Sequence, residues 1–205
     1  MALRITGTGR PGRPSTLSGT VKRPGPISLV VIVLALGVVG LLIYGVAAGG
    51  DDSSLDAAVQ KGEQPVAPGA DVALPLLDGK GTLSLDELRG KIVVVNFWAS
   101  WCEPCAEEAP ILVRAQKDLR REGDGTVVGV TYKDFADESR AFARRNGLNY
   151  PSVRDDKLDL APLFGTTKLP ETFVVNPRGR VVAIGRGQLT GRFLEGAIAR
   201  ARAQG

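Results

Sequence analysis

The sequence predicts an α/β domain, a mixed sheet with helices on both faces, carried behind one transmembrane helix. Three observations support this. Ile27 to Ala48 is a run of apolar and small residues without a charge, long enough at about 1.5 Å per residue for a hydrocarbon layer roughly 30 Å thick. Lys91–Trp98 is a continuous, Val-rich apolar run, the pattern of a central strand buried on both faces. Downstream, strand-like runs alternate with helix-like ones in the order β-β-β-α-β-α-β-α-β-β-α, which calls for layered packing.

The N-terminal region sets the topology. Of the 26 basic residues, five (Arg4, Arg10, Arg13, Lys22, Arg23) lie in residues 1–50, where no acid occurs, leaving 21 against all 22 acids in the remainder. The domain is therefore near neutral, and the overall basic balance does not point to nucleic acid. Basic residues stay on the cytoplasmic side of a first span, so the N-terminus is expected inside and the domain outside. Residues 1–26, rich in Gly, Pro, Ser, Thr and Arg, read as a disordered tail. Residues 27–48 are the anchor, since the apolar run exceeds the roughly 7–15 residues of a signal-peptide core, although Ala47-Ala48-Gly49 offers small residues for cleavage. Residues 49–69 read as a linker and residues 70–205 as the domain.

Within the domain, Asp71–Leu77 and Thr82–Leu85 flank the turn Asp78-Gly79-Lys80-Gly81, predicting a short hairpin. Ser84 can cap at most a short helix. The strand at Lys91–Trp98 leads into a helix from Cys102 to about Glu122, with Ala109, Leu112, Val113 and Leu119 inward and Pro110 inside. Thr126–Tyr132 is the next strand, Asp137–Asn146 a helix closed by Gly147, Tyr150–Arg154 a short strand and Leu158–Phe164 a short helix closed by Gly165. Thr172–Asn176 and Val181–Arg186, joined at Pro177-Arg178-Gly179, form a hairpin. Gly191–Ala203 is an amphipathic helix with Phe193, Leu194, Ala197, Ile198 and Ala201 inward. No internal repeat is apparent.

Chemistry concentrates at Trp101-Cys-Glu-Pro-Cys105, which holds both cysteines of the chain at a strand-to-helix junction. Unpaired N–H groups in a helix's first turn favour a negative charge, and the thiolate is the reactive form of cysteine. Pro104 suits that turn because its missing N–H costs nothing there. Two intervening residues place both sulfurs within bonding distance. Cys102, at the tip, is expected to be the exposed attacking sulfur, and Cys105 the resolving thiol that releases the substrate. So small a loop makes a poor structural staple. With no His and no third Cys, a metal site within the chain is not expected.

Phe97-Trp-Ala-Ser-Trp-Cys-Glu-Pro-Cys105 resembles the active site of membrane-anchored thioredoxin-like proteins of the TlpA, ResA and CcmG/DsbE type. Lys168-Leu-Pro-Glu-Thr-Phe-Val-Val-Asn-Pro177 resembles that family's cis-proline loop, and Gly129-Val-Thr-Tyr-Lys-Asp134 resembles a CcmG segment. The likeness covers roughly residues 65–205, and the single anchor matches as well. It implies a thioredoxin fold with an N-terminal β-hairpin extension and a central insertion, preceded by one transmembrane helix. It further implies a thiol:disulfide oxidoreductase that works outside the cytoplasm without a cofactor. Its clients would be disulfide-bearing proteins, such as the haem-attachment cysteines of apocytochrome c. Its electrons would come from a membrane thiol carrier of the CcdA/DsbD kind.

The same resemblance bears on single residues. It makes Leu169–Pro170 a cis peptide facing the cysteines, leaving the Leu169 backbone free to pair with a client strand. Glu108 matches an acid kept near the second cysteine, a proton relay for Cys105 whose competing reading is a solvated surface carboxylate. Glu171, in Pro-Glu-Thr, is placed along a client groove with Trp101, Glu103 and Leu169, and an ordinary surface position competes for it. Glu103 leans towards ResA, whereas the later segments lean towards CcmG. A charge so close to the sulfurs disfavours thiolate and favours a reductant. Trp98 and Trp101 read first as packing residues. Rival readings are a general disulfide oxidant or isomerase, and a copper-delivery module, which is poorly served with Met1 as the sole methionine.

Overall fold

The computed structural model describes residues 26–48, 52–79 and 81–205. The chain divides into two compact units, residues 1–49 and 50–205. Within the first, α1 (Pro26–Ala48) is a helix of 23 residues, and its described side chains, at 27 and 30–41, are all exposed. Among the described residues, which in α1 give side chains continuously only from 30 to 41, no helix is long and apolar enough to cross a membrane. The tail expected at the N-terminus lies outside the described residues, apart from Pro26.

The second unit is built on a five-stranded sheet in the order β5-β4-β3-β6-β7. Its strands are β3 (Ile92–Trp98), β4 (Gly125–Tyr132), β5 (Ser152–Asp155), β6 (Glu171–Val175) and β7 (Val181–Arg186). β3 pairs in parallel with β4, and β4 with β5, while β6 runs antiparallel to both β3 and β7. All seven residues of β3 are buried, because helices cover one face of the sheet and residues from 67–85 and 160–164 cover the other.

On one face Ile92, Val94 and Val127 pack against Leu112 and Leu119 of α3 (Glu103–Glu122) and Leu194, Ala197 and Ala201 of α5 (Gly191–Ala203). Phe142 of α4 (Ala136–Arg145) lies on the same face, its ring stacked on Trp98 with centroids 4.9 Å apart. The opposite face carries Val93, Val95, Phe97, Val128, Val130 and Phe173. It is covered by Ala67, Ala70, Leu74 and Leu85 and by Leu160, Ala161 and Phe164.

Several expectations need correction. The stretch expected to be a linker contains α2 (Asp52–Gln60), whose Leu55 and Val59 pack against the core and whose Asp56 pairs with Arg186 of β7. Its last residues are also tied down: Ala67 N–H donates to Gly179 O, and Val181 N–H to Pro65 O. The hairpin shrinks to β1 (Leu74–Pro75) and β2 (Thr82–Leu83). Ser84 accepts no capping bond; Ser84 N–H and Oγ both donate to Glu87, and only a 3-10 turn at Asp86–Leu88 follows.

Leu158–Phe164 forms turns and no helix. Leu158 takes a left-handed φ of 59°, and the Asp155 carboxylate accepts from the N–H groups of Asp159, Leu160 and Ala161, which competes with helical bonding. Phe193 is exposed on the first turn of α5, where its N–H donates to the Thr190 cap. On α3, Val113 is half-buried, while Glu108 and Gln116 lie on the buried face.

Candidate active site

The end of β3 and the start of α3 are one continuous piece of chain, and the two cysteines sit at its bend. Cys102 is the N-cap of α3, Pro104 falls in the first turn, and Cys102 N–H donates to Ala99 O at 3.2 Å. Cys102 and Cys105 form a disulfide with their Cα atoms 5.3 Å apart. The expected contrast in exposure is absent in this oxidised state: Cys102 is 5% and Cys105 3% exposed. The physical reason is the bond itself, which holds both sulfurs in one apolar cluster with Leu77, Trp98, Ala99 and Phe142.

Leu169–Pro170 is cis. Leu169 packs against the cysteine cluster and Pro170 is buried. Pro170 O accepts from Gly187 N–H at 2.9 Å, tying the loop to the end of β7. Glu103 and Trp101 are exposed, and Trp101 Nε1 donates to Lys133 O at 3.2 Å. Trp98 is the packing residue expected, whereas Trp101 is not.

Glu108 departs furthest from an ordinary carboxylate, since it is fully buried, which removes the solvated-surface reading. Its Oε1 accepts from Asn96 Nδ2 at 2.8 Å, and its Oε2 from Leu189 N–H at 2.9 Å. Asn96 also donates to Thr172 Oγ1 at 3.0 Å. Burial pushes the Glu108 carboxyl up from 4.5 to about 7, and the bonds from Leu189 and Asn96 recover only part of that cost. Burial also pushes the Tyr150 phenol up, and the Glu108 charge adds to it.

Glu171 requires a correction. It is 4% exposed, within β6, and does not line a groove. Its carboxylate is held by Arg186, whose guanidinium also reaches Asp56, the carbonyls of Phe164 and Gly165, and the Phe173 ring at 5.0 Å. Burial works against the Arg186 charge, but Asp56 and Glu171 outweigh it and raise its pKa. A carboxylate on the penultimate strand, facing a cation on the edge strand, becomes internal.

Sequence reasoning assigned no role to Asn96, Tyr150, Arg186 or Asp134. Asn96 carried a signal, being the one polar side chain between Ile92 and Trp98. Asp134 fastens the loop after β4 to the redox bend: its carboxylate accepts from Ser100 N–H and Ser100 Oγ at 2.7 Å each and from Ser139 Oγ at 2.6 Å. Among the described residues no group of His, Cys, Asp and Glu is arranged to hold a metal.

Comparison with known proteins agrees with this geometry. The AhpC/TSA family matches residues 66–184. The thiol-disulfide oxidoreductase ResA of Bacillus subtilis (strain 168) is 33% identical over 135 residues, 65% of this chain and 75% of that one. The thiol:disulfide interchange protein HelX of Rhodobacter capsulatus is 32% identical over 167 residues, 80% of this chain and 89% of the relative. Among solved structures, a DsbF homologue from Corynebacterium diphtheriae superposes with a TM-score of 0.60 at 30% identity, covering 68% of this chain and 88% of its own.

Proposed function

Given that the chain belongs to the AhpC/TSA family of thioredoxin-like proteins and is a thiol-disulfide oxidoreductase, we propose that it reduces disulfides of client proteins outside the cytoplasm, held at the membrane by α1. The clients in view carry closely spaced cysteines such as the haem-attachment pair of apocytochrome c, and a membrane dithiol carrier of the CcdA/DsbD kind restores the reduced protein. The uncharged run Ile27–Ala48 of the sequence supports the anchor. The basic residues before it support the orientation.

The observation that carries the reading is a disulfide at a helix N-terminus with a wholly buried carboxyl one turn further along the same helix, held near neutrality. In the reduced protein the Cys102 thiolate attacks one sulfur of the client disulfide, and the other client sulfur leaves as thiolate. Cys105 then gives its proton to Glu108 and attacks Cys102 Sγ. The second client thiolate leaves, the client has gained two electrons, and the Cys102–Cys105 bond is formed. A carboxyl titrating near 7 can take that proton and return it when a donor dithiol reopens the bond. The backbone at Leu169, beside the cysteine cluster, is the edge along which a client strand can lie, since Pro170 has no N–H to offer. Glu103, exposed and between the two cysteines in sequence, opposes thiolate formation and favours a reducing pair.

The test is a Cys105→Ser variant, which halts at the mixed disulfide on Cys102. Expressed in cells, it is expected to trap extracytoplasmic proteins with paired cysteines, an apocytochrome c among them. A reduction potential nearer about −270 mV than about −120 mV is expected. A potential at the oxidising end, with newly secreted proteins trapped in its place, overturns the reductant reading.

A further inference from the structure

We infer that Phe135, with Trp101, forms an aromatic bracket beside the disulfide that takes an apolar side chain next to the target cysteine of a polypeptide client. The inference rests on the client-reduction reading above and names the kind of segment that the site selects.

In the second unit the two most exposed large hydrophobic side chains are Phe135, at 82%, and Trp101, at 61%. Both belong to the rim of the redox bend. Trp101 immediately precedes Cys102, and its indole N–H is bonded to the carbonyl of Lys133, two residues before Phe135. An exposed ring on a loose loop would mean little, but this loop is fastened. Asp134 takes the N–H and hydroxyl of Ser100, the hydroxyl of Ser139 and, at 3.0 Å, the N–H of Phe135 itself. Lys133 holds a left-handed φ of 48°, and its ammonium lies over the Tyr132 ring at 4.9 Å. Phe135 is then the N-cap of α4, a position that favours Ser, Thr, Asp or Asn, and its side chain makes no capping bond.

Local structure therefore does not ask for an aromatic residue at 135, and the core does not use it. Exposed aromatic surface that packs into no core, on a loop held by hydrogen bonds, is the usual composition of a binding hot spot. Continuity with the redox pair decides the occupant. A client sulfur must approach Cys102 Sγ to within bonding distance, so residues flanking the client cysteine must pass over the rim that includes Trp101 and the 133–135 loop. A small disulfide can reach the sulfur without covering that rim, whereas a polypeptide cannot. Two exposed rings on one rim recognise an apolar or aromatic neighbour and gain little from the small neutral hydroxyl of Ser.

The experiment uses the full chain, reduced and in mild detergent, with two peptides that each contain one Cys-x-x-Cys disulfide and differ only in the residue before the first cysteine, Leu or Ser. Single-turnover reduction is followed against peptide concentration for the wild type, Phe135→Ser and Phe135→Leu. Phe135→Ser is expected to raise the half-saturating concentration of the Leu peptide about tenfold at an unchanged limiting rate, and to leave the Ser peptide within about twofold. Phe135→Leu is expected to restore the wild-type preference. Equal effects on both peptides, or no effect on either, overturn the bracket while leaving client reduction intact. If the wild type reduces neither peptide, the client-reduction reading falls and the bracket falls with it.

Discussion

Replacing Glu108 by Gln isolates the energetics of the buried carboxyl. Its pKa rises from 4.5 to about 7 because burial strips the charged form of water. The folded protein keeps this proton up to about pH 7, whereas the unfolded chain releases it near its ordinary value. Between those limits the folded state binds more protons, so raising the pH favours unfolding. At about 1.36 kcal/mol per pKa unit, the wild type is expected to lose about 3 kcal/mol as the pH climbs from about 5 to about 8. The chain is well suited to the measurement. It has no His, and both cysteines are bonded in the oxidised protein, so few other groups titrate in this window. Gln cannot ionise, and the Glu108→Gln curve is expected to be nearly flat. Its absolute stability is set separately, because Gln keeps one acceptor oxygen where the carboxyl offers two, so either Asn96 Nδ2 or Leu189 N–H loses its acceptor and faces an NH2 donor. Urea unfolding of both oxidised proteins in detergent, at several pH values, gives the two slopes. Parallel curves would refute the buried-carboxyl account and remove the basis for a Glu108 proton relay.

Two further perturbations test the surroundings of the site. Arg186→Met leaves the Glu171 carboxylate buried without its cation and is expected to cost about 3 kcal/mol, the low end for a broken buried pair because Arg186 is itself partly exposed. The double variant Arg186→Met, Glu171→Gln should recover more than half of that loss in urea midpoint, and a cost below about 1 kcal/mol for the single variant would show the pair to be incidental. Gly129→Ala would put a Cβ 2.5 Å from both Ser152 Oγ and Trp98 Nε1. Such overpacking costs about 1–3 kcal/mol, and a shift in indole fluorescence is expected as Trp98 moves against Phe142; an unchanged spectrum and unfolding midpoint would refute it.

What could be read from the chain divides along physical lines. Elements whose signal is local were legible: α5 has the expected bounds, β7 likewise, and β3, β4, α3 and α4 are displaced by a residue or so. Strand periodicity and helix spacing report which residues face a core, and that information survives without a structure. The failures occurred where a side chain competes with the backbone. Asp155 captures three N–H groups and turns a helix-like stretch into turns. Asp56 finds Arg186, 130 residues away, and converts an apparent linker into a packed helix. A composition rich in small and acidic residues reads as solvated chain until its distant cation is known.

The candidate site shows the same division one level up. The disulfide and the cis peptide at Leu169–Pro170 stand where spacing along the chain and a resemblance put them, and Glu108 is buried one turn beyond Cys105. The polar row beneath them was not legible. Thr172, Asn96, Gly129 and Ser152 fall in register across β6, β3, β4 and β5, and only the sheet brings them side by side. Asn96 bonds Thr172 and Glu108, so one asparagine in an otherwise apolar strand fixes the carboxyl that the active-site helix turns towards the sheet. Both carboxyl oxygens are held by N–H donors, yet burial still wins, because two hydrogen bonds cannot replace the hydration of a charge. That imbalance keeps the carboxyl near neutrality. If Asn96 and Leu189 contributed enough to hold Glu108 ionised at all physiological pH, the carboxyl would support the fold and could no longer take up and release a proton near neutrality.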